Sequence, residues 1–184
     1  FFSLWFKKVQ VYALVGKAGT GKSFRAQLIA DKYKIDLIID DGILIKDNTI
    51  VCGKSAKKEK NPLTAIRTAL YDETNHRKEM RKALEKEKFD RILIIGTSLR
   101  MVHKIARRLN LPHIKKIINI EEVASREEIE LARKSREQEG KHIIPVPGIE
   151  VRRNYSQIFI DSVKIFFKKR FSLEGKQKVY EKSI

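Results

Sequence analysis

The chain has 184 residues, of which 42% are hydrophobic and one, Cys52, is a cysteine. A chain of this length and composition can bury a full core in one domain, which excludes disorder of the whole chain, and a single cysteine excludes an internal disulfide framework and fits a reducing, cytoplasmic compartment. Because 40 Lys and Arg face 23 Asp and Glu, the formal charge of +17 indicates an acidic partner such as nucleotide phosphates, nucleic acid or an anionic membrane surface.

Apolar runs with β-branched residues alternate with segments of helical period, which predicts parallel strands joined by crossover helices. The predicted strands are residues 9–15, 36–39, 91–95, 116–120 and 146–152. The predicted helices are residues 22–33, 63–70, 73–87, 99–109 and 125–139. This order predicts an α/β fold of three layers, α/β/α, around a mostly parallel sheet.

The first predicted strand and helix are joined by a glycine-rich loop, residues 16–23, with the sequence GKAGTGKS. It matches G-x-x-x-x-G-K-[ST] in the strand-to-helix context that this phosphate-binding motif requires. Its glycines let successive backbone N–H groups surround phosphate oxygens, and the helix N-terminus adds positive potential. The residues expected to bind nucleotide are Gly16, Lys17, Ala18, Gly19, Thr20, Gly21, Lys22 and Ser23. Lys22 is expected to reach the β and γ phosphates, and the Ser23 hydroxyl to ligate Mg²⁺, so the sequence predicts ATP and Mg²⁺ as cofactors.

An acidic pair, Asp40 and Asp41, follows the second predicted strand. Because parallel strands end on the phosphate side of such a sheet, one of the two, with Asp40 as the metal candidate, is placed to hold Mg²⁺ or its waters. The other is then placed to face a substrate hydroxyl or to act as a base. Asp41 and Gly42 between two apolar runs are also typical of a tight turn, and the sequence leaves both interpretations open.

The next segment departs from the alternation of strands and helices. Two short apolar runs, residues 43–46 and 49–52, flank Asp47 and Asn48, a two-residue connection that suits a tight hairpin. We therefore expect a β-hairpin inserted after the second strand. Residues 53–61 contain four lysines and are expected to form a solvated, mobile loop.

Hydroxyl and basic residues follow the third predicted strand. Thr97 or Ser98 could contact the γ-phosphate or a substrate, but either suits the N-cap of the next helix, and capping is the favoured interpretation. The outer side of that helix carries Arg100, Lys104, Arg107 and Arg108. This basic side could bind a nucleic-acid backbone or anionic lipid, although a merely solvated face is favoured because no aromatic residues are interleaved.

The last predicted helix carries Arg126, Arg133 and Arg136 close to one face. Such a helix could close over the nucleotide, with Arg133 or Arg136 neutralising charge on the transferred phosphoryl group. Glu130 lies four residues from both Arg126 and Lys134, so ion pairs on a solvated helix explain the same residues and are favoured.

These features together resemble the small-molecule kinase branch of P-loop proteins, typified by adenylate and shikimate kinases. The resemblance implies that Asp40 or Asp41 meets the acceptor substrate, whereas residues 96–98 lack the aspartate that the branch carries there.

A closer resemblance covers residues 9–160 and is to an uncharacterised bacterial P-loop domain found ahead of an alkaline-shock, envelope-stress type domain. The sequence features that carry it are GKAGTGKS at 16–23, IDDG at 39–42, GKSAKKEK at 53–60 and EGKHIIPVP at 139–147. It implies that residues 1–162 are a nucleotide-binding domain, that residues 163–184 are a basic exit segment or linker, and that a C-terminal partner domain follows.

The expected function is an ATP-binding protein that hydrolyses ATP or transfers its γ-phosphate to a small acceptor. The alternative is a regulatory switch, in which nucleotide reorders residues 54–61 and the arginine helix and signals to an attached domain, an envelope component or nucleic acid. A third interpretation is charge-driven nucleic-acid binding with steep salt dependence. The absence of an Asn-Lys-x-Asp sequence disfavours a GTPase.

Overall fold

The computed structural model describes the backbone of residues 8–139 and the side chains of residues 8–134. The strands in this part of the chain are β1 Gln10–Val15, β2 Leu37–Asp40, β3 Ile43–Lys46, β4 Thr49–Gly53, β5 Arg91–Gly96 and β6 Ile114–Asn119. The helices are α1 Lys22–Tyr33, α2 Pro62–Ala69, α3 Thr74–Lys86, α4 Leu99–Arg108, α5 Ile120–Val123 and α6 Arg126–Glu139, with a 3₁₀ turn at Ala56–Lys58. The predicted α/β class is confirmed. The predicted strand at 146–152 and the exit segment at 163–184 lie outside the described residues.

The strands form one mixed sheet in the order β4-β3-β2-β5-β1-β6. Strand β1 pairs in parallel with β5 on one side and β6 on the other, and β5 pairs in parallel with β2. Strands β3 and β4 add to β2 in antiparallel fashion. The four strands that alternate with helices along the chain are therefore the parallel ones, as crossover connections require.

The inner strands β1, β2 and β5 are buried on both faces of the sheet. On β1, Val11 and Ala13 join the core cluster that contains Val102 of α4, whereas Leu14 joins the cluster that contains Ile29 of α1. A strand buried on both faces needs apolar side chains in both registers, which explains the continuous apolar run of β1. Helices consequently lie against both faces of the sheet.

Strands β1 and β5 are neighbours, but the helices that follow them lie on opposite faces. Helix α1, which follows β1, packs in the cluster of Leu14, and α4, which follows β5, packs in the cluster of Val11. In open α/β sheets such a divergence leaves a crevice beyond the carboxyl ends of the strands, where ligands bind. The fold thus places the glycine-rich loop at the mouth of a crevice.

Two tight turns connect the antiparallel strands. Asp41 and Gly42 join β2 to β3 with φ of 46° and 91°, and Asp47 and Asn48 join β3 to β4 with φ of 47° and 61°. Positive φ at both central residues is the signature of type I′ turns, whose twist matches that of the flanking strands. The turn interpretation of Asp41 and Gly42 is confirmed.

Residues 53–61 differ most from expectation. Ser55 and Ala56 are buried, and the Lys57 side chain is only 8% exposed, because the Ala56 N–H donates a 2.8 Å hydrogen bond to the Asp41 carbonyl. The prediction of a solvated loop was therefore wrong for these residues. The prediction took the number of lysines as a sign of exposure. The aliphatic part of a lysine side chain, however, can be buried when its ammonium contacts carboxylates.

Two smaller differences from the prediction occur at the carboxyl end of β6. The first is that this strand ends at Asn119 rather than at residue 120. The short helix α5 was not predicted, and its start is fixed by a capping box between Asn119 and Glu122. No helix within residues 8–139 combines the length and apolar character needed to cross a membrane.

Candidate functional site

The glycine-rich loop leaves β1 and turns directly into α1. Its start is tied to the end of β5, because the Gly16 N–H donates a 3.2 Å hydrogen bond to the Gly96 carbonyl. Its end is Gly21, the N-cap of α1, with φ of 85° in the left-handed region. A Cβ on Gly21 would meet nothing closer than the Ala132 Cβ at 3.7 Å, so glycine is needed here for the backbone angle rather than for space.

The Lys22 ammonium lies across its own loop. It donates hydrogen bonds to the carbonyls of Gly16 at 2.6 Å and Lys17 at 2.8 Å, and the Thr20 hydroxyl donates to the Lys17 carbonyl at 2.7 Å. No acidic residue occupies the first turn of α1. The positive end of the helix dipole is therefore not offset locally, and the loop is suited to an anion.

One ammonium group links the glycine-rich loop to the acidic pair. Lys57 Nζ lies 3.4 Å from Ser23 Oγ, 3.4 Å from Asp40 Oδ2 and 3.4 Å from Asp41 Oδ2. The side chains of Lys57 and Asp40 are 8% and 4% exposed, whereas that of Asp41 is 35% exposed. The structure thus brings together Ser23, Asp40 and Asp41, as the sequence predicted, and adds Lys57, which it did not.

The charges of this group depend on burial and on one another. Burial raises the pKa of Asp41, and the Asp40 charge raises it further, against the opposing effect of Lys57. Burial alone would lower the pKa of Lys57, but the two carboxylates outweigh it, and that pKa lies above its ordinary value. Lys57 is accordingly charged at neutral pH.

The turn that carries the acidic pair is packed tightly against the backbone of residues 53 and 54. A Cβ on Gly42 would lie 2.3 Å from the Lys54 carbonyl oxygen, and Gly42 has φ of 91°. Buried His76 bridges the same two segments, since its Nε2 lies 2.9 Å from the Gly42 oxygen and 3.0 Å from the Lys54 nitrogen. These contacts fix the acidic turn relative to the segment that delivers Lys57.

A cavity of about 560 Å³ opens beside these groups. Its polar wall comprises residues 18–23 of the loop with Asp40, Asp41 and Lys57. The far wall is formed by Ala65, Ile66, Ala69 and Leu70 at α2 and by Met101, Arg100 and Lys104 of α4. A volume of several hundred Å³ with an apolar wall and a few convergent polar groups is typical of a small-molecule site.

The two hydroxyl residues after β5 have different positions: one caps helix α4 and the other lines the cavity. Ser98 is the N-cap of α4, and its Oγ accepts a 3.2 Å hydrogen bond from the Met101 N–H, so the capping interpretation is confirmed. Thr97 is exposed and lines the cavity. On the basic side of α4, Arg108 forms an ion pair with Asp72, so the expectation of a merely solvated face was wrong at this position.

Helix α6 contributes to the cavity through Glu128 and Ala132. Arg133 is exposed and lies outside the cavity lining, and the Arg136 side chain is not among the described ones. Glu128 pairs at 2.5 Å with Arg25 of α1. The expected helix ion pair between Glu130 and Lys134 is present at 3.2 Å, which agrees with the solvated-surface interpretation.

The expected Mg²⁺ needs oxygen donors beside the glycine-rich loop. No group of three or more His, Cys, Asp or Glu side chains among the described residues could hold a metal ion. Mg²⁺ in nucleotide sites, however, uses one or two carboxylates together with phosphate oxygens and waters. Ser23, Asp40 and Asp41 supply hard oxygen donors around one point, and this donor set fits a nucleotide-bound Mg²⁺.

Comparison with known proteins gives no match to this chain among protein-family models, curated proteins or solved structures.

Proposed function

We propose that this chain is a P-loop protein that binds ATP with Mg²⁺ and hydrolyses ATP or transfers its γ-phosphate to a small acceptor. The fold that goes with this proposal is a three-layer α/β/α P-loop fold, with β3 and β4 as an inserted hairpin. The observation that carries it is the meeting of the glycine-rich loop, at a strand-to-helix junction, with the oxygen cluster of Ser23, Asp40 and Asp41.

The loop supplies the phosphate contacts in this proposal. Its backbone N–H groups and the N-terminus of α1 cradle the phosphate oxygens. Lys22 already lies over the loop, and it exchanges the carbonyls of Gly16 and Lys17 for the β and γ phosphates when nucleotide enters. An ammonium that loses two neutral acceptors and gains charged ones binds more strongly, because charge-assisted hydrogen bonds are the strong ones.

Ser23 and Asp40 are the residues proposed to hold Mg²⁺, directly or through its waters. The ion would neutralise charge on the β and γ phosphates. Asp41 is the more exposed of the two carboxylates and faces the same cavity, so it is the one placed to receive a proton from an acceptor hydroxyl or a water.

The far wall of the cavity favours transfer to an acceptor over hydrolysis alone. Besides the loop, the cavity is lined by apolar residues of α2 and by Met101, Arg100 and Lys104 of α4. In this proposal these residues contact an acceptor that has an apolar body and a negative group. Arg133 of α6 lies outside the lining and has no role in this proposal.

A regulatory switch is the second candidate, and one contact favours it. Lys57 belongs to the 3₁₀ turn at Ala56–Lys58 and contacts the three oxygen donors of the proposed nucleotide site. In this second proposal, nucleotide binding at the site displaces Lys57 and so moves residues 54–61, the segment that the switch interpretation requires to move.

Calorimetric titration with a non-hydrolysable ATP analogue and Mg²⁺ at low ionic strength tests nucleotide binding. We expect Lys22→Ala to weaken binding by about 100-fold, because it removes a charge-assisted phosphate contact. Ser23→Ala should weaken it in Mg²⁺ and have little effect in EDTA. Lys32→Ala, an exposed lysine of the same helix, is the matched control and should bind like the wild type. Absence of binding by the wild type, or equal binding by Lys22→Ala, would refute the proposal.

Measurement of ADP release separates transfer from switching. A phosphotransferase should release ADP faster when the right acceptor is supplied, and Asp40→Asn should abolish the increase. A switch should turn over slowly at one rate whatever acceptor is present. Acceptors that combine an apolar body with a carboxylate or phosphate are the first to test, because they match the far wall of the cavity.

A further inference from the structure

The position of Lys57 carries an inference that rests on the proposed function and deepens it. Its ammonium is surrounded by Ser23 Oγ, Asp40 Oδ2 and Asp41 Oδ2, each at 3.4 Å. An ammonium has three N–H donors and no acceptor, so it matches three oxygens, one from Ser23 and one from each of the adjacent residues Asp40 and Asp41. Two of these oxygens, those of Ser23 and Asp40, are also the donors proposed to serve Mg²⁺.

We propose that Lys57 occupies the place of the nucleotide-bound metal ion, so that Mg²⁺ and the Lys57 ammonium exclude each other. Without nucleotide, Lys57 offsets part of the negative charge of the acidic pair beside the phosphate-binding loop. Entry of the Mg²⁺–nucleotide complex expels the ammonium and releases the 3₁₀ turn that carries it.

Exclusion follows from distance and burial. When Mg²⁺ ligates Ser23 and Asp40 directly, it needs their oxygens at about 2.1 Å in near-octahedral geometry, which leaves no room for an ammonium against the same two donors. The Lys57 side chain is 8% exposed and that of Asp40 is 4% exposed, so little water screens two cations placed side by side. One of the two cations must leave, and the divalent one is held by phosphate oxygens as well.

The local structure provides a route for Lys57 to leave. Its turn is three residues long, and the backbone is held to the acidic turn by the 2.8 Å hydrogen bond from the Ala56 N–H to the Asp41 carbonyl. Lys58, the next residue, is exposed. Movement of the Lys57 side chain into solvent therefore disturbs one short turn and leaves the sheet intact.

A titration of Mg²⁺ against binding of the ATP analogue tests the exclusion. We expect Lys57→Gln to lower the half-saturating Mg²⁺ concentration by about tenfold, because the metal ion no longer displaces a cation. Lys58→Gln is the matched control and should leave that concentration unchanged. An unchanged or higher Mg²⁺ requirement in Lys57→Gln, with analogue binding retained, would overturn this inference alone. Failure of the wild type to bind the analogue at any Mg²⁺ concentration would overturn the proposed function and this inference with it.

A second measurement uses the wild type, so it does not depend on the folding of a variant. The rate at which an amine-reactive acetylating reagent modifies Lys57 is measured by mass spectrometry, with Lys58 as the internal standard. We expect acetylation of Lys57 to be slow with the analogue in EDTA and at least about fivefold faster with the analogue and Mg²⁺, because a released ammonium reaches solvent. Equal protection of Lys57 in both conditions would show that the ammonium stays in place.

Discussion

The glycine-rich loop and the acidic group of Asp40, Asp41 and Lys57 border the same cavity but are built in opposite ways. The loop is one continuous segment, residues 16–23, and its Lys22 bonds to carbonyls of that same segment. The acidic group joins the end of β2 to a turn 16 or 17 residues further along the chain. A site made of backbone groups can thus be encoded locally, whereas a cluster of opposite charges from separate segments needs those segments to be held together.

The largest expected contrast between the two regions concerns their glycines. Gly42→Ala should lower the free energy of unfolding by about 4 kcal/mol, since it adds left-handed strain to a clash with the Lys54 carbonyl oxygen. Gly21→Ala has the same kind of strain but open space around its Cβ, and should cost about 1 kcal/mol. Denaturant unfolding followed by circular dichroism measures both. Equal costs would show that the acidic turn is no more tightly packed than the loop.

A smaller effect is expected at the end of β5, which lies between the two regions. Ser98→Ala should destabilise the protein by about 1 kcal/mol, because it removes the N-cap of α4. Thr97→Ala, at an exposed neighbour, should change stability by less than about 0.5 kcal/mol. Thermal unfolding compares the two variants, and analogue binding should be retained in both. Loss of binding in Ser98→Ala would assign the hydroxyl to the nucleotide site as well.

The smallest expected effect is a pH dependence in the support of the acidic turn. Burial lowers the pKa of His76, and the Lys54 charge acts in the same direction, while the Gly42 carbonyl, Glu73 and Glu79 oppose it. The unfolded chain therefore takes up the proton first as pH falls below about 6.5, and wild-type stability should decrease there.

Denaturant unfolding at pH 7.5 and 5.5 measures this dependence. His76→Gln should show a smaller loss of stability between the two pH values than the wild type. His103→Gln changes an exposed histidine and should match the wild type. A wild-type stability that rises toward pH 5.5 relative to His76→Gln would contradict the buried, neutral state of His76.

Much of the fold could be predicted because its signals are local. The apolar runs of β1 and β5, the helical periods of α1 and α4, and the turn residues Asp41 and Gly42 each depend on a few neighbouring side chains. The short helix α5 could not be predicted, since four residues carry too little periodicity to distinguish a helical turn from the end of a strand. Only its capping box at Asn119 and Glu122 was a usable signal.

The sequence by itself determined the alternation of strands and helices, the glycine-rich loop and its lysine, because periodicity and backbone freedom act over a few residues. Only the tertiary structure decided which of the four lysines in residues 53–61 is buried and which oxygens surround it. The GKSAKKEK segment marks the region, but adjacent lysines are chemically alike. The choice of Lys57 depends on the contacts of residues 53–56 with the Asp41–Gly42 turn, and such long-range contacts leave no periodic trace in the chain.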